Sequence, residues 1–312
     1  MGKIVKLKND NLHLWIDTHG GGISRFFRRS DKGDVTDYIY GYNESGKKDG
    51  CMGDVLFPWA GRVENKKYHF LGKDYTLRNV TDSNGNALHG FAKDQEFNVI
   101  STDSDSAVLS FTFEKEKFAE NGYPFDVALQ IEYSLSKKGF FVHTEVKNIG
   151  RSALPFGLGF HPYFKIGNDS INDLELGIPA KTMVEFDSSL KPTGRLIDIK
   201  KSPLNFSASK DISEIIIDNC FTELKYKNGK ACTTLKDKKG HSICVCQDEN
   251  MAYMQVYSAD SIGEKNYRKA IALEPQTCCG YALNLPGLGL RSLEPEKVFK
   301  CSWGVQIQDK VN

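Results

Sequence analysis

The chain has 312 residues, 40% hydrophobic and 26% charged, which is ample apolar material for a large core and unlike the composition of a disordered chain. Lys and Arg (41) nearly balance Asp and Glu (40), so no overall field recruits nucleic acid or an anionic membrane, and the expected partner is small and roughly neutral. The opening Met1-Gly2-Lys3-Ile4-Val5-Lys6-Leu7-Lys8 lacks the apolar centre and cleavage site of a secretory signal, and no run of about 18 apolar residues occurs, which points to the cytoplasm.

Along the chain, period two dominates. Leu109–Phe113, the alternating Val127, Leu129, Ile131, Tyr133 and Leu135, then Val142–Val146 and Tyr253–Tyr257 read as strands. Turn signals at Leu71-Gly72-Lys73, Lys137-Lys138-Gly139, Lys227-Asn228-Gly229 and Lys238-Lys239-Gly240 fall between apolar segments and predict hairpins. The best helical candidate, Phe118 to Tyr123, is short and stops at Gly122 before Pro124. Ser202 to Ser213 is polar enough for a surface loop, and no linker, low-complexity tract or internal repeat divides the chain. The prediction is an all-β protein, a large antiparallel β-sandwich formed as a single domain by residues 1–312.

Eight cysteines occur at 51, 220, 232, 244, 246, 278, 279 and 301, without paired CxxC spacing and without the density of a disulfide-stapled mini-protein. Reduced, mostly buried thiols and no metal are expected. Cys244 and Cys246 lie two apart, so a strand sends both to one face, where cysteine acts as a small hydrophobe. Cys278-Cys279, which follows the Glu274 segment, admits an access-lining, a packing or a redox role.

Large β-sandwiches hold ligands on a concave sheet face, so a site would appear in sequence as polar residues far apart, each in an apolar or glycine-rich frame. Gly159-Phe160-His161-Pro162-Tyr163-Phe164 sets an imidazole among aromatic rings, which suits a sugar site but also a hydrogen-bonded core histidine. Glu274 ends the apolar run Ala270-Ile271-Ala272-Leu273, where a carboxylate is seldom placed without a partner or a task. Arg62 in Gly61-Arg62-Val63 is a surface cation or a planar donor for neighbouring hydroxyls. His89 in Leu88-His89-Gly90-Phe91 is a turn residue or stands beside a close ligand approach, and Asp218 begins a turn or contacts a ligand. Trp59, Phe91, Phe160, Tyr163 and Phe164 are aromatic surfaces in or beside these segments, though most must be core.

Gly61-Arg62-Val63, Tyr68-His69-Phe70-Leu71-Gly72, Leu88-His89-Gly90, His161-Pro162-Tyr163-Phe164 and Leu273-Glu274-Pro275-Gln276 occur in this order. Together with Tyr123-Pro124-Phe125 and Val146-Lys147-Asn148, this order and its spacing resemble the aldose 1-epimerase (galactose mutarotase) family. The resemblance implies a β-supersandwich that interconverts the α and β anomers of a free aldohexose without metal or nucleotide. It further implies Glu274 as base and His161 as acid, Arg62 and His89 as sugar hydrogen-bonding residues, Asp218 as a carboxylate on sugar hydroxyls, and Gln276 as a further polar contact. It implies a monosaccharide as partner, with the protein a monomer or homodimer. Gly61 departs from the commoner asparagine, and Phe91 from a frequent second glycine, which leaves the sugar open. Two alternatives differ in chemistry. A hexose-6-phosphate mutarotase would require cations near the sugar's far end, with Arg28-Arg29, Lys66-Lys67 and Arg151 as candidates. A non-catalytic carbohydrate-binding protein would have no use for an acid–base pair.

Overall fold

A computed structural model describes residues 2–42, 48, 50–78, 82–167 and 170–308. The alternation in the middle of the chain forms a hairpin: Val127–Ser136 pairs antiparallel with Gly139–Asn148, from Val127 opposite Asn148 to Ser136 opposite Gly139. Its odd-numbered residues Val127, Leu129, Ile131 and Tyr133 are fully buried, because the pleat sends them all to one face. The last strand, Val298–Gln308, lies between that hairpin and Ser242–Gln247 at the middle of a nine-stranded sheet.

A twelve-stranded sheet faces it. One edge is the N-terminal meander Ile4–Asn9, Leu12–Asp17 and Ile23–Arg29, followed by Val35–Ile39; the order then runs through Tyr163–Phe164, Ile271–Gln276, Tyr253–Tyr257 and Asp218–Thr222 to Thr182–Phe186 and Pro192–Asp198. The ladders in both sheets are antiparallel. Aromatic contacts bridge the layers: Phe26 meets Phe140 edge-on at 5.0 Å, and Phe160 packs on Trp303 at 5.2 Å. These rings belong to the main core, where apolar burial supplies most of the driving force.

The strand Ile271–Gln276 shows how this layering positions polar chemistry. All six residues are buried, yet they divide by parity. Ile271 and Leu273 join the main core, while Ala272 packs with Tyr42 and Tyr163 on the other side. Glu274 and Gln276 share the parity of Ala272, so they face away from the core.

Three expectations are corrected. The helical turn occupies Lys115–Phe118, not Phe118–Tyr123, because the chain from Ala119 to Gly122 leaves the helix in turns before Pro124. Ser202–Ser213 is not wholly surface loop, since Phe206 and Ile212 are fully buried and Lys210–Asp211 pairs with the nine-stranded sheet. The thiols are not all reduced: Cys232 and Cys246 form a disulfide. They are directly opposed on neighbouring strands, and cross-strand pairing brings their side chains together from positions 14 apart, a proximity that residue spacing alone does not reveal. Cys220, Cys278 and Cys279 are fully buried free thiols packed with Leu56, Val184 and Leu288, which gives the adjacent pair a packing role. Among the described residues no helix is long and apolar enough to cross a membrane, and no group of three or more His, Cys, Asp or Glu could hold a metal ion.

Candidate active site

Glu274 stands between two neighbours set by sheet register. On one side Gln255 is directly opposite it in the strand Tyr253–Tyr257. On the other, Gly159 pairs with Gln276 and Tyr163 with Ala272, so His161, midway between Gly159 and Tyr163, falls opposite Glu274. Two residues 113 apart in sequence (274 − 161) thereby become cross-strand neighbours, with His161 Nε2 3.4 Å from Glu274 Oε1. The backbone of His161 is clamped from behind: its N–H donates to the Asp54 carbonyl at 3.0 Å, and its carbonyl accepts from Gly53 N–H at 2.9 Å. Its ring stacks on Tyr163 at 5.0 Å and meets the edge of His89 at 5.3 Å.

Arg62 and His89 reach the same place on a small ribbon. Arg62–Val63 pairs with Ala87–Leu88, and beyond it Gly61 and His89 close a reciprocal contact. His89 N–H donates to the Gly61 carbonyl at 2.9 Å, and Gly61 N–H donates to His89 Nδ1 at 3.2 Å. Because Nδ1 accepts, the ring proton of neutral His89 sits on Nε2, where it can donate to a ligand. Two glycines make this packing possible. A Cβ on Gly61 (φ +68°) would lie 2.5 Å from Gly280 Cα, and one on Gly90 (φ +66°) 2.1 Å from the Phe57 carbonyl oxygen. The first explains the departure at position 61: no asparagine fits against the backbone there.

A cavity of about 340 Å³ gathers Arg62, His89, His161, Asp218, Glu274 and Gln276, along with Tyr163, Gln255, Tyr257 and Cys51. Gln276 Nε2 donates to Glu274 Oε2 at 2.9 Å, and Gln255 Nε2 donates to Asp218 Oδ1 at 2.7 Å. Asp218 begins the strand Asp218–Thr222 and is no turn residue. Arg62 Nε donates to Asp82 Oδ2 at 2.9 Å. Arg62 is the one Lys or Arg among the described residues lining the cavity, whereas Arg28, Arg29, Lys66, Lys67 and Arg151 are outside that lining.

Burial dominates the electrostatics. It raises the Glu274 carboxyl well above the ordinary carboxylate range, reinforced by Asp218 and opposed by Gln276 and Arg62. It pushes His161 down to about 4, against a weaker pull from that residue's own backbone. His89 is also driven well below its usual value, by burial and then by His161 and Arg62. Asp218 is raised by burial, with Arg62 and Gln255 drawing it back. Burial thus favours neutral imidazoles at His89 and His161 and shifts Glu274 toward its protonated form.

Of the candidate aromatics, Tyr163 lines the cavity, while Trp59, Phe91, Phe160 and Phe164 are buried in the main core. Sequence reasoning missed Gln255, since a glutamine among alternating strand residues reads as an ordinary solvated position until the register places it beside Glu274. It also missed Asp82, whose Asp-Ser-Asn-Gly run carries only a turn signal.

The aldose 1-epimerase family profile matches residues 3–303. An uncharacterized Escherichia coli protein, YihR, is 31% identical over 83% of this chain and 80% of its own length. The aldose 1-epimerase of Streptococcus thermophilus is 24% identical over 93% of this chain and 89% of its own. Among solved structures, a GalM/aldose epimerase homologue from C. elegans superposes with a TM-score of 0.86 over 99% of both chains at 17% identity, a likeness of fold. With nearly its whole length matched, this chain belongs to the aldose 1-epimerase family.

Proposed function

We propose that this protein is an aldose 1-epimerase that interconverts the anomers of an unphosphorylated aldohexose, with Glu274 and His161 as its proton-transfer pair. The observation carrying the proposal is that pair itself, buried at a cross-strand position with Nε2 and Oε1 3.4 Å apart. Ring opening removes the proton from O1 and delivers one to the ring oxygen O5, and both oxygens are bonded to C1. The two protein groups must therefore be close neighbours, one for each oxygen, and a separation of 3.4 Å supports that reading.

In the forward half-reaction Glu274 takes the O1 proton, the C1–O5 bond breaks, and His161 protonates O5 to give the open-chain aldehyde. Rotation about C1–C2 presents the other carbonyl face. Closure then returns the Glu274 proton to the carbonyl oxygen while His161 takes back the O5–H proton. The cyclic complexes require carboxylate and imidazolium, and the aldehyde stage leaves carboxylic acid and neutral imidazole. Burial favours the second charge state. Sugar hydroxyls, with Gln276 and Arg62 as donors, must stabilise the carboxylate when a cyclic sugar is bound. Arg62, His89, Asp218, Gln255 and Gln276 supply directional partners for hydroxyls, and the Tyr163 ring supplies apolar surface. One guanidinium against Asp218 and Glu274 is a poor receptor for a phosphate dianion, which favours a neutral hexose.

The test is anomer exchange followed by polarimetry or exchange NMR with a panel of aldoses and their 6-phosphates. Catalysed exchange of at least one neutral aldohexose is expected, with the phosphorylated form at least about tenfold less efficient, an estimate from one unmatched charge. Exchange no faster than buffer for every sugar rejects the proposal.

A further inference from the structure

The cavity leaves one contact of Arg62 unaccounted for. Its Nε is spent on Asp82, which is outside the cavity lining. The Asp82 side chain is 7% exposed, and both of its oxygens are committed. Oδ1 accepts the backbone N–H groups of Asn84 at 2.9 Å and Asn86 at 2.8 Å, while Oδ2 accepts Arg62 Nε at 2.9 Å and Asn86 Nδ2 at 3.4 Å. The carboxylate is thus fixed by main chain on one side and holds the guanidinium on the other. Asn86 ties the loop across the ribbon, its Oδ1 accepting from Asn65 N–H at 3.1 Å, and the next residues, Ala87–Leu88, pair with Arg62–Val63 and lead into His89.

We propose that Asp82 is a positioning residue acting through Arg62: by holding Nε it sets the rotation of the guanidinium plane, leaving the two terminal nitrogens for sugar hydroxyls. An arginine otherwise samples many rotamers, and ordering it at binding weakens affinity; a guanidinium held in advance avoids that loss. Asp82 also places a carboxylate in contact with the cation, which draws the guanidinium away from Asp218 and Glu274. The part concerning sugar rests on the proposed epimerase function, whereas the lock on Arg62 stands on its hydrogen bond to Asp82 alone.

The experiment uses Asp82→Asn in the full chain. The amide keeps an oxygen for the two loop N–H groups but presents an NH2 donor to the Arg62 Nε donor, so the turn survives and the lock fails. The ¹⁵N–¹H resonance of Arg62 Nε, assigned by its disappearance in Arg62→Lys, is expected to exchange slowly with solvent in the wild type and rapidly in Asp82→Asn. KM for the preferred sugar is expected to rise about tenfold with kcat within about twofold. Combining Asp82→Asn with Arg62→Ala should add nothing to the KM of Arg62→Ala alone. Unchanged Nε exchange together with unchanged KM overturns the proposal, as does a fall in kcat and KM effects that merely track a lowered urea midpoint, the signature of a structural turn. Should Asp82→Asn not fold, Asp82→Ser, which caps the same turn through its hydroxyl, carries the same readouts. If the wild type exchanges no sugar, the epimerase reading fails, and the Nε resonance still decides the lock.

Discussion

Glu274→Gln separates chemistry from stability at the point where the sequence and the fold converge. The substitution is isosteric, so it opens no cavity in a strand with all six residues buried. The amide oxygen can still accept from Gln276 Nε2, which donates to the carboxylate at 2.9 Å. What disappears is the ability to take and return a proton next to His161. A positioned acid–base group contributes about 10²- to 10⁴-fold, or roughly 3–5 kcal/mol of barrier, so kcat should fall by about that factor with KM little changed. Stability should move the other way. The folded-state pKa of Glu274 is raised, so the folded protein holds this proton more tightly than the unfolded chain and loses stability as pH climbs above the ordinary carboxylate value. A neutral glutamine has no such loss: the variant should withstand more urea than wild type at pH 8, and the gap should close toward pH 4. Exchange NMR between anomers measures the first effect, and urea unfolding at both pH values the second. Anomer exchange within threefold of wild type, or a variant less stable at pH 8, refutes the reasoning about this carboxyl.

His161→Asn should likewise reduce kcat by about 10²-fold or more, and it should flatten the acid side of the stability profile. His161 falls from its ordinary 6.5 to about 4 on folding, so its contribution is complete above pH 6.5 and is lost as pH drops toward 4, about 3 kcal/mol across that window; equal pH slopes for variant and wild type between pH 7 and 4.5 would contradict this. Gly90→Ala places a Cβ 2.1 Å from the Phe57 carbonyl oxygen at φ +66°. It should destabilise the protein by about 2 kcal/mol or more and disturb His89, and a thermal melt within 1 °C of wild type would count against that packing.

Much of the architecture was legible because strand alternation and turn chemistry are local. The residues from Val127 to Leu135 announced their own pleat, and Lys137-Lys138-Gly139 its hairpin. The candidate residues were recognisable one at a time by residue type and frame, and they converge on one cavity. Their pairing was not legible, since it depends on register between segments that never touch in sequence. Nothing near Gln255 marks it as the neighbour of Glu274, and nothing near Cys232 points to Cys246. Asp82 was hidden for another reason: its turn-forming role, which sequence does show, conceals the second face of the same carboxylate. The buried Phe206 inside a polar stretch marks the limit of composition, because one large side chain anchors a segment whose average looks solvated.

The position of Glu274 on a central strand, with its odd-numbered companions Ile271 and Leu273 in the core, divides the cavity into a floor and a rim. The floor comes from paired strands. The rim is drawn from turns, including those bearing Cys51, Leu190, Ser261, Ile262 and Tyr281. In the proposed mechanism, proton transfer is thereby tied to paired strands, while contacts with the remote hydroxyls fall to turn segments, which tolerate insertion and replacement. Under that proposal, such a separation lets a lineage change which sugar it accepts by exchanging turns alone, with Glu274 and His161 inherited unaltered.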